Sequence, residues 1–233
     1  MVVAIILFAL GMISMSFFIY GKITNYSVTT NIIKLVTSLL FVALGIYLYI
    51  YKGNPNVGLF IILGGTFGLL GDVVLGLKRI FKKINKQLIL AGLFFFAVGH
   101  ILYDTGLFIN YYISGYPVVI IIPIVLAPVL GIATTLLLKN LAHLKLGKFK
   151  YIGMFYFAAV TSLVTVSFSL LALHGFANTF LGIFFAGSVL FAASDMILTK
   201  TYFRENVKKY DLISTTICYY LAQFIIAFSI FFL

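Results

Sequence analysis

The sequence predicts an all-α, polytopic membrane protein with eight transmembrane helices. Three observations predict it. The 233 residues are 63% hydrophobic and 9% charged, where a soluble domain carries roughly 25% charged residues. The apolar runs are each close to the length of about 20 residues that a bilayer crossing takes. The basic residues gather in alternate connections between those runs, as orientation across a membrane requires.

Helix 1 is expected over 1–20: Met1 opens an apolar run with no basic n-region and no small-residue cleavage site, so it reads as a retained helix and not a signal peptide. The stretch Gly21 to Asn25 marks its end, and helix 2 follows over 31–51. Gly53-Asn54-Pro55-Asn56 is turn chemistry, placing helix 3 at 57–77 and helix 4, after a basic connection, at 88–109. Ser114-Gly115-Tyr116-Pro117 separates helix 4 from helix 5 at 118–138, where Pro123 and Pro128 predict a kink. Helix 6 is expected over 151–173, ending at His174-Gly175, with helix 7 over 179–199 and helix 8 over 210–232. Eight spans use roughly 160 to 175 residues, so the chain reads as one transmembrane domain, 1–233, with short loops and no soluble domain.

Charge fixes the orientation. The connection after helix 1 carries Lys22; that after helix 3, Lys78, Arg79, Lys82, Lys83 and Lys86; that after helix 5, Lys139, Lys145, Lys148 and Lys150; that after helix 7, Lys200, Arg204, Lys208 and Lys209. Among the even connections only the one after helix 2 is basic, with Lys52. The odd connections are therefore expected in the cytoplasm of a cell-membrane protein, with both termini outside. This also accounts for the net charge of +11: the basic loops meet anionic lipid headgroups, not nucleic acid. Cys218 is the one cysteine and cannot form an intrachain disulfide. No zinc-type Cys/His cluster, Walker sequence, Gly-rich nucleotide loop or nucleophile elbow occurs, so neither metal nor cofactor is expected, and no protein partner is implied.

Helix 3 ends Gly71-Asp72-Val73-Val74-Leu75 and helix 7 ends Ser194-Asp195-Met196-Ile197-Leu198, each followed by basic residues and then an aromatic, Phe81 or Phe203. A polar residue stands 28 positions after each aspartate, His100 and Gln223. The pattern suggests a parallel repeat of two four-helix halves, 1–110 and 111–233.

Of five acidic residues, Glu205 falls in a loop and Asp211 at a helix start, where a carboxylate suits the helix dipole. Asp72, Asp104 and Asp195 fall inside apolar spans, where an ionisable group is expensive and marks function by default. Asp72 lies six residues before Lys78 and Asp195 five before Lys200, so both sit roughly 7–9 Å inside the cytoplasmic boundary. Two carboxylates at one depth, open to a cavity from the inner leaflet, form the candidate site. The bland alternative is interhelical hydrogen bonding, or lysines snorkelling inward to meet them. His100 lies nearer the midplane. Asp104 reads as structural, and the hydroxyls Thr161, Ser162, Thr165, Ser167 and Ser169 of helix 6 read mainly as packing.

Gly71-Asp72-x-x-Leu75, Gly99-His100-x-x-Tyr103, Ser194-Asp195-x-x-Leu198 and Tyr219-Tyr220-x-x-Gln223, in this order on eight helices, resemble the YhhN family, whose animal members are lysoplasmalogenases. Lys34 corresponds to a basic residue the family tends to carry near the start of helix 2, with Leu35 where a proline usually follows. The resemblance implies hydrolysis of the vinyl ether bond of a lysoplasmalogen to a fatty aldehyde and a glycerophospho-alcohol. It implies Asp72 and Asp195 as catalytic residues, with His100, Tyr103, Ser194, Tyr220, Gln223 and Lys34 supporting them or binding substrate. The chemistry suits the residues. Protonating the β-carbon of a vinyl ether creates an oxocarbenium ion that water captures, which takes one protonated carboxyl and one ionised carboxylate. Basic loops suit the phosphate of a lysophospholipid, and apolar helices suit its single chain.

Two other functions fit less well. A proton-coupled transporter of a lipid or small metabolite would use buried aspartates, a repeat and kinked helices, but with its carboxylates near the midplane. An intramembrane aspartyl protease would need Gly-x-Gly-Asp, where this chain reads Leu69-Leu70-Gly71-Asp72.

Overall fold

The computed structural model describes every residue except 142, 145, 148 and 205; Lys145, Lys148 and Glu205, assigned above to loops, lie outside the described residues. The described chain is helical, with elements α1 (Val2–Ile23), α2 (Val28–Tyr51), α3 (Asn56–Leu77), α4 (Asn85–Tyr111), α5 (Val118–Leu141), α6 (Phe149–His174), α7 (Thr179–Phe203) and α8 (Lys209–Ser229). All eight are long and apolar enough to cross a membrane. Hydrocarbon cannot hydrogen-bond a backbone, so each apolar run satisfies its own N–H and C=O groups as a helix. The outward faces stay apolar: Phe17 on α1, Ile124 on α5 and Phe155 on α6 are 61%, 66% and 82% exposed, a surface suited to lipid.

Several helices run past the ends expected from hydropathy, because capping and interfacial contacts, not apolarity, set a helix end. α2 starts at Val28 and not 31: the Ser27 hydroxyl accepts the Thr30 N–H at 3.3 Å while Thr30 Oγ1 accepts the Ser27 N–H, a reciprocal cap. α1 continues through Gly21 and Lys22, beyond the end at 20 that hydropathy predicts, and the Lys22 ammonium finds acceptors on α8. α7 continues through Lys200 to Phe203, and α4 is preceded by a 3₁₀ turn, Lys82–Ile84. α5 stays helical through both Pro123 and Pro128.

Sequence neighbours pair as hairpins: α1 with α2, α3 with α4, α5 with α6, α7 with α8. α8 also touches α1, α2 and α3, and α6 touches α4, α5 and α7, so these two helices gather the others around the interior. Close approach depends on glycine, the usual membrane solution. A Cβ on Gly131 would stand 2.4 Å from the Ala158 backbone, and one on Gly99 would stand 2.9 Å from the Gly64 carbonyl. Only glycine lets α5 meet α6, and α3 meet α4, at these points.

Candidate functional site

Asp72 of α3 and Asp195 of α7, each 3% exposed, line one cavity of about 620 Å³ counting its open mouth. Lys22, Tyr26, Lys78, Arg79 and Thr201 line it at the bundle end that carries the connections after α1, α3 and α7. The expected pair of carboxylates at one level of the bundle is therefore present in a single space.

The two carboxylates have different surroundings. Asp72 Oδ1 forms an ion pair at 2.9 Å with Lys34 of α2, whose ammonium also donates to the Asp72 carbonyl at 2.8 Å. Asp72 Oδ2 accepts from Ser38 at 2.6 Å and from Tyr219 at 2.7 Å. Lys34 and Ser38 stand four apart on α2, so one helical face presents both. Lys34–Asp72 is the one ion pair among the described residues. Asp195 has no cation partner there: its Oδ2 accepts from the Tyr156 hydroxyl of α6 at 2.5 Å, and no described side chain bonds Oδ1.

A second tier extends from Asp72 into the bundle. Tyr103 of α4 donates to Gln223 Oε1 of α8 at 2.9 Å, and Gln223 Nε2 lies 3.4 Å from the Tyr219 hydroxyl that Asp72 holds. Tyr219 and Gln223 are one turn apart on α8. Two glycines of α3 make the room: a Cβ on Gly64 would stand 2.5 Å from the Tyr103 ring, and one on Gly68 would stand 2.7 Å from Gln223 Nε2. Tyr220, fully buried, is within 3.3 Å of both Ser38 Oγ and the Lys34 carbonyl. Ser194 donates to the Thr215 carbonyl at 3.1 Å while Thr215 donates back to the Ser194 carbonyl at 2.9 Å, pinning α7 to α8 beside Asp195.

His100, expected to support the aspartates or bind substrate, is 1% exposed, and its ring stands edge-on to Phe191 at 4.7 Å and 6.4 Å from the ring of Tyr156. It thus lies toward the phenol that serves Asp195. Neither ring nitrogen has a hydrogen-bond partner among the described residues. Asp104 is outside the cavity and accepts from Ser162 of α6 at 2.6 Å, a bridge between α4 and α6. Helix 6 hydroxyls do mainly pack: Thr161 donates to the Phe157 and Ala127 carbonyls, and Ser167 meets Ser188 at 3.0 Å.

Sequence reasoning did not single out Ser38, Tyr156, Tyr219 or the grouping of Lys22, Lys78 and Arg79. Tyr219 stood inside a quoted motif, and Ser38 stands one turn after Lys34. Tyr156 had no signal, as one of 15 tyrosines.

Lys78 and Arg79 lie just beyond α3. The Lys78 ammonium sits over the Tyr202 ring, 2.8 Å from its centre, and Arg79 over Tyr26 at 4.5 Å. Burial, then the cations Arg79, Lys34 and Lys22, push the Lys78 ammonium down from 10.5 to about 6. Burial raises the Tyr26 phenol to about 12, so it stays a neutral donor, here to Asn31 Oδ1 at 3.2 Å.

No curated protein and no solved structure matches the chain. A family model matches residues 29–230, from the first turn of α2 past the end of α8, a span that holds both aspartates and every side chain bonded to them. The chain is a member of the YhhN family.

Proposed function

We propose that this protein is a membrane-embedded hydrolase that cleaves the vinyl ether bond of lysoplasmalogens, giving a fatty aldehyde and a glycerophospho-alcohol. The observation that carries the reading is the unequal environment of two carboxyl groups in one cavity. Lys34 and two hydroxyls match the charge of Asp72. Among the described residues Asp195 has one phenol and no cation partner, an environment in which a proton neutralises it. Asp195 is then the acid and Asp72 the standing carboxylate.

Asp195 gives its proton to the β-carbon of the vinyl ether. The double-bond electrons form the new C–H bond, and the ether oxygen shares its lone pair with the α-carbon as an oxocarbenium ion. Asp72 supplies negative potential across the cavity to that cation. Water adds to the α-carbon, and its extra proton passes to the Asp195 carboxylate. The hemiacetal then breaks its C–O bond: Asp195 protonates the leaving glycerol oxygen and takes up the hydroxyl proton, so aldehyde and alcohol leave with the acid restored. Tyr156 orients Asp195, while Tyr219, Gln223 and Tyr103 hold Asp72 in place. The bilayer supplies the substrate, and no cofactor takes part in these steps.

The test is aldehyde release from a lysoplasmalogen by purified protein, run beside Asp195→Asn and Asp72→Asn. Wild-type turnover, with losses on the order of a thousandfold in each folded variant, supports the assignment. Folded wild type that releases no aldehyde removes this substrate and favours the transporter.

A further inference from the structure

A second cavity abuts the first. It lies among α4, α5, α6 and α7, measures about 520 Å³ counting its opening, and is walled by side chains such as Leu93, Leu138 and Phe157. Asp195, Leu198 and Tyr202 of α7 line both cavities. Among the described residues, Asp195 is the one acidic residue that lines the apolar cavity, and no lysine or arginine lines it. The first cavity, by contrast, holds Lys22, Lys34, Lys78 and Arg79. Lys34 is committed to Asp72, and the other three have no carboxylate partner among the described residues. Lys22 is held by neutral acceptors only, Thr216 Oγ1 at 2.7 Å and the Leu212 carbonyl at 3.2 Å. Three partly buried basic side chains facing one space make an anion site, and the Lys78 ammonium is depressed first by its burial and then by the neighbouring cations Arg79, Lys34 and Lys22.

We propose that the two cavities are the head and tail subsites for one single-chain phospholipid, its phosphate against Lys22, Lys78 and Arg79 and its hydrocarbon chain in the α4–α7 cavity, with the junction of chain and glycerol at Asp195. The assignment of that junction rests on the hydrolase reading. It adds the place of each half of that substrate: a single narrow apolar cavity beside an anion site fits a lipid with one chain and one phosphate. It also explains why Asp195 belongs to both spaces: the bond to be protonated lies between a polar and an apolar half.

The test uses a ligand that cannot be hydrolysed, a saturated 1-O-alkyl glycerophosphocholine with a photoreactive diazirine near the end of its chain. Irradiated with the full-length protein in detergent and digested, it is expected to label the tail-cavity residues of α5 and α6, such as Thr135, Leu138, Gly153 and Phe157. Labelling is expected to fall about tenfold in Lys78→Gln and Arg79→Gln, the loss of one charge-assisted hydrogen bond. It should fall as far for the same chain carried on glycerol without phosphate, even with inorganic phosphate added. Gly153→Leu should displace the label: Gly153 lines the tail cavity, and a Cβ there meets only Thr135, at 3.5 Å, so the added atoms can be accommodated. Circular dichroism and a single detergent-stable size-exclusion peak show that each variant is folded.

Labels confined to lipid-facing positions such as Phe155 or Ile124 overturn the proposal, as does labelling independent of the phosphate or restored by free phosphate. Failure of the hydrolase reading looks different: cavity labelling persists and responds to Lys78→Gln, yet the vinyl ether analogue releases no aldehyde.

Discussion

Tyr156 of α6 donates its hydroxyl to Asp195 of α7 at 2.5 Å, the one side-chain hydrogen bond this carboxyl makes among the described residues. A carboxyl with a single phenol partner keeps its other oxygen for substrate. Tyr156→Phe removes the orienting bond and keeps the ring. The expected result is a fall in kcat of about ten- to a hundredfold, the worth of one buried charge-assisted hydrogen bond, with little change in KM. Steady-state kinetics on lysoplasmalogen in mixed micelles checks it. An equal loss in KM and none in kcat would make Tyr156 a binding residue.

The Lys34–Asp72 pair has a different signature. Removing one member of a buried pair leaves the other uncompensated, at about 3–5 kcal/mol. Lys34→Met is therefore expected to lower thermal stability sharply. Adding Asp72→Asn to it should recover much of that stability, because the stranded charge is gone, while activity stays lost. Thermal denaturation of both singles and the double gives the coupling. Additive losses would show that the pair is not coupled in the bilayer-spanning fold.

Eight helices were legible because each had to supply about 20 apolar residues, a demand that length and composition carry directly. Asp72 and Asp195 were legible for the complementary reason: an acid in an apolar span stands out. Their partners did not. Tyr156 is one phenol in a chain where 17% of residues are aromatic, and nothing local says which ring faces a carboxyl. Helix ends were misjudged where a polar group does the work, as at Ser27. The 28-residue spacing was informative in an unexpected way. Gln223, following Asp195, serves the Asp72 network through Tyr219. His100, following Asp72, lies beside the Tyr156 that serves Asp195. The polar residue downstream of Asp195 thus joins the Asp72 network, while the one downstream of Asp72 packs near Tyr156, a relationship visible only once the helices are packed.

Gly68 tests the second tier. A Cβ there would stand 2.7 Å from Gln223 Nε2, the end of a flexible side chain, so Gly68→Ala should be tolerated by the fold. Its gain in helix propensity, about 1 kcal/mol, offsets part of the crowding. The displaced amide can no longer bridge Tyr103 and Tyr219. Activity is expected to fall about tenfold, and Gly68→Ala should add no further loss to Gln223→Ala. Independent, multiplying losses would mean that the glycine acts on something other than this amide.

The pH dependence of headgroup binding follows from Lys78. In the free protein its ammonium is lowered to about 6 by burial and by Arg79, Lys34 and Lys22, with Tyr202 stacked on it and the carboxyls of Asp72 and Asp195 in the same cavity. A bound phosphate favours the protonated amine, so its value in the complex is higher than 6. Below both values the amine is charged with or without ligand, and affinity is flat. Between them the complex must take up a proton that the free protein lacks, so affinity falls as pH rises, by up to about tenfold per unit. A phosphodiester does not titrate in this range, and neither does a quaternary headgroup. Affinity for an alkyl glycerophosphocholine, measured from pH 5 to 9, should therefore be highest near the acid end and decline above about pH 6. Lys78→Gln should flatten the slope and weaken binding at the acid end toward the high-pH affinity of wild type. A slope unchanged in Lys78→Gln assigns the titration to another group.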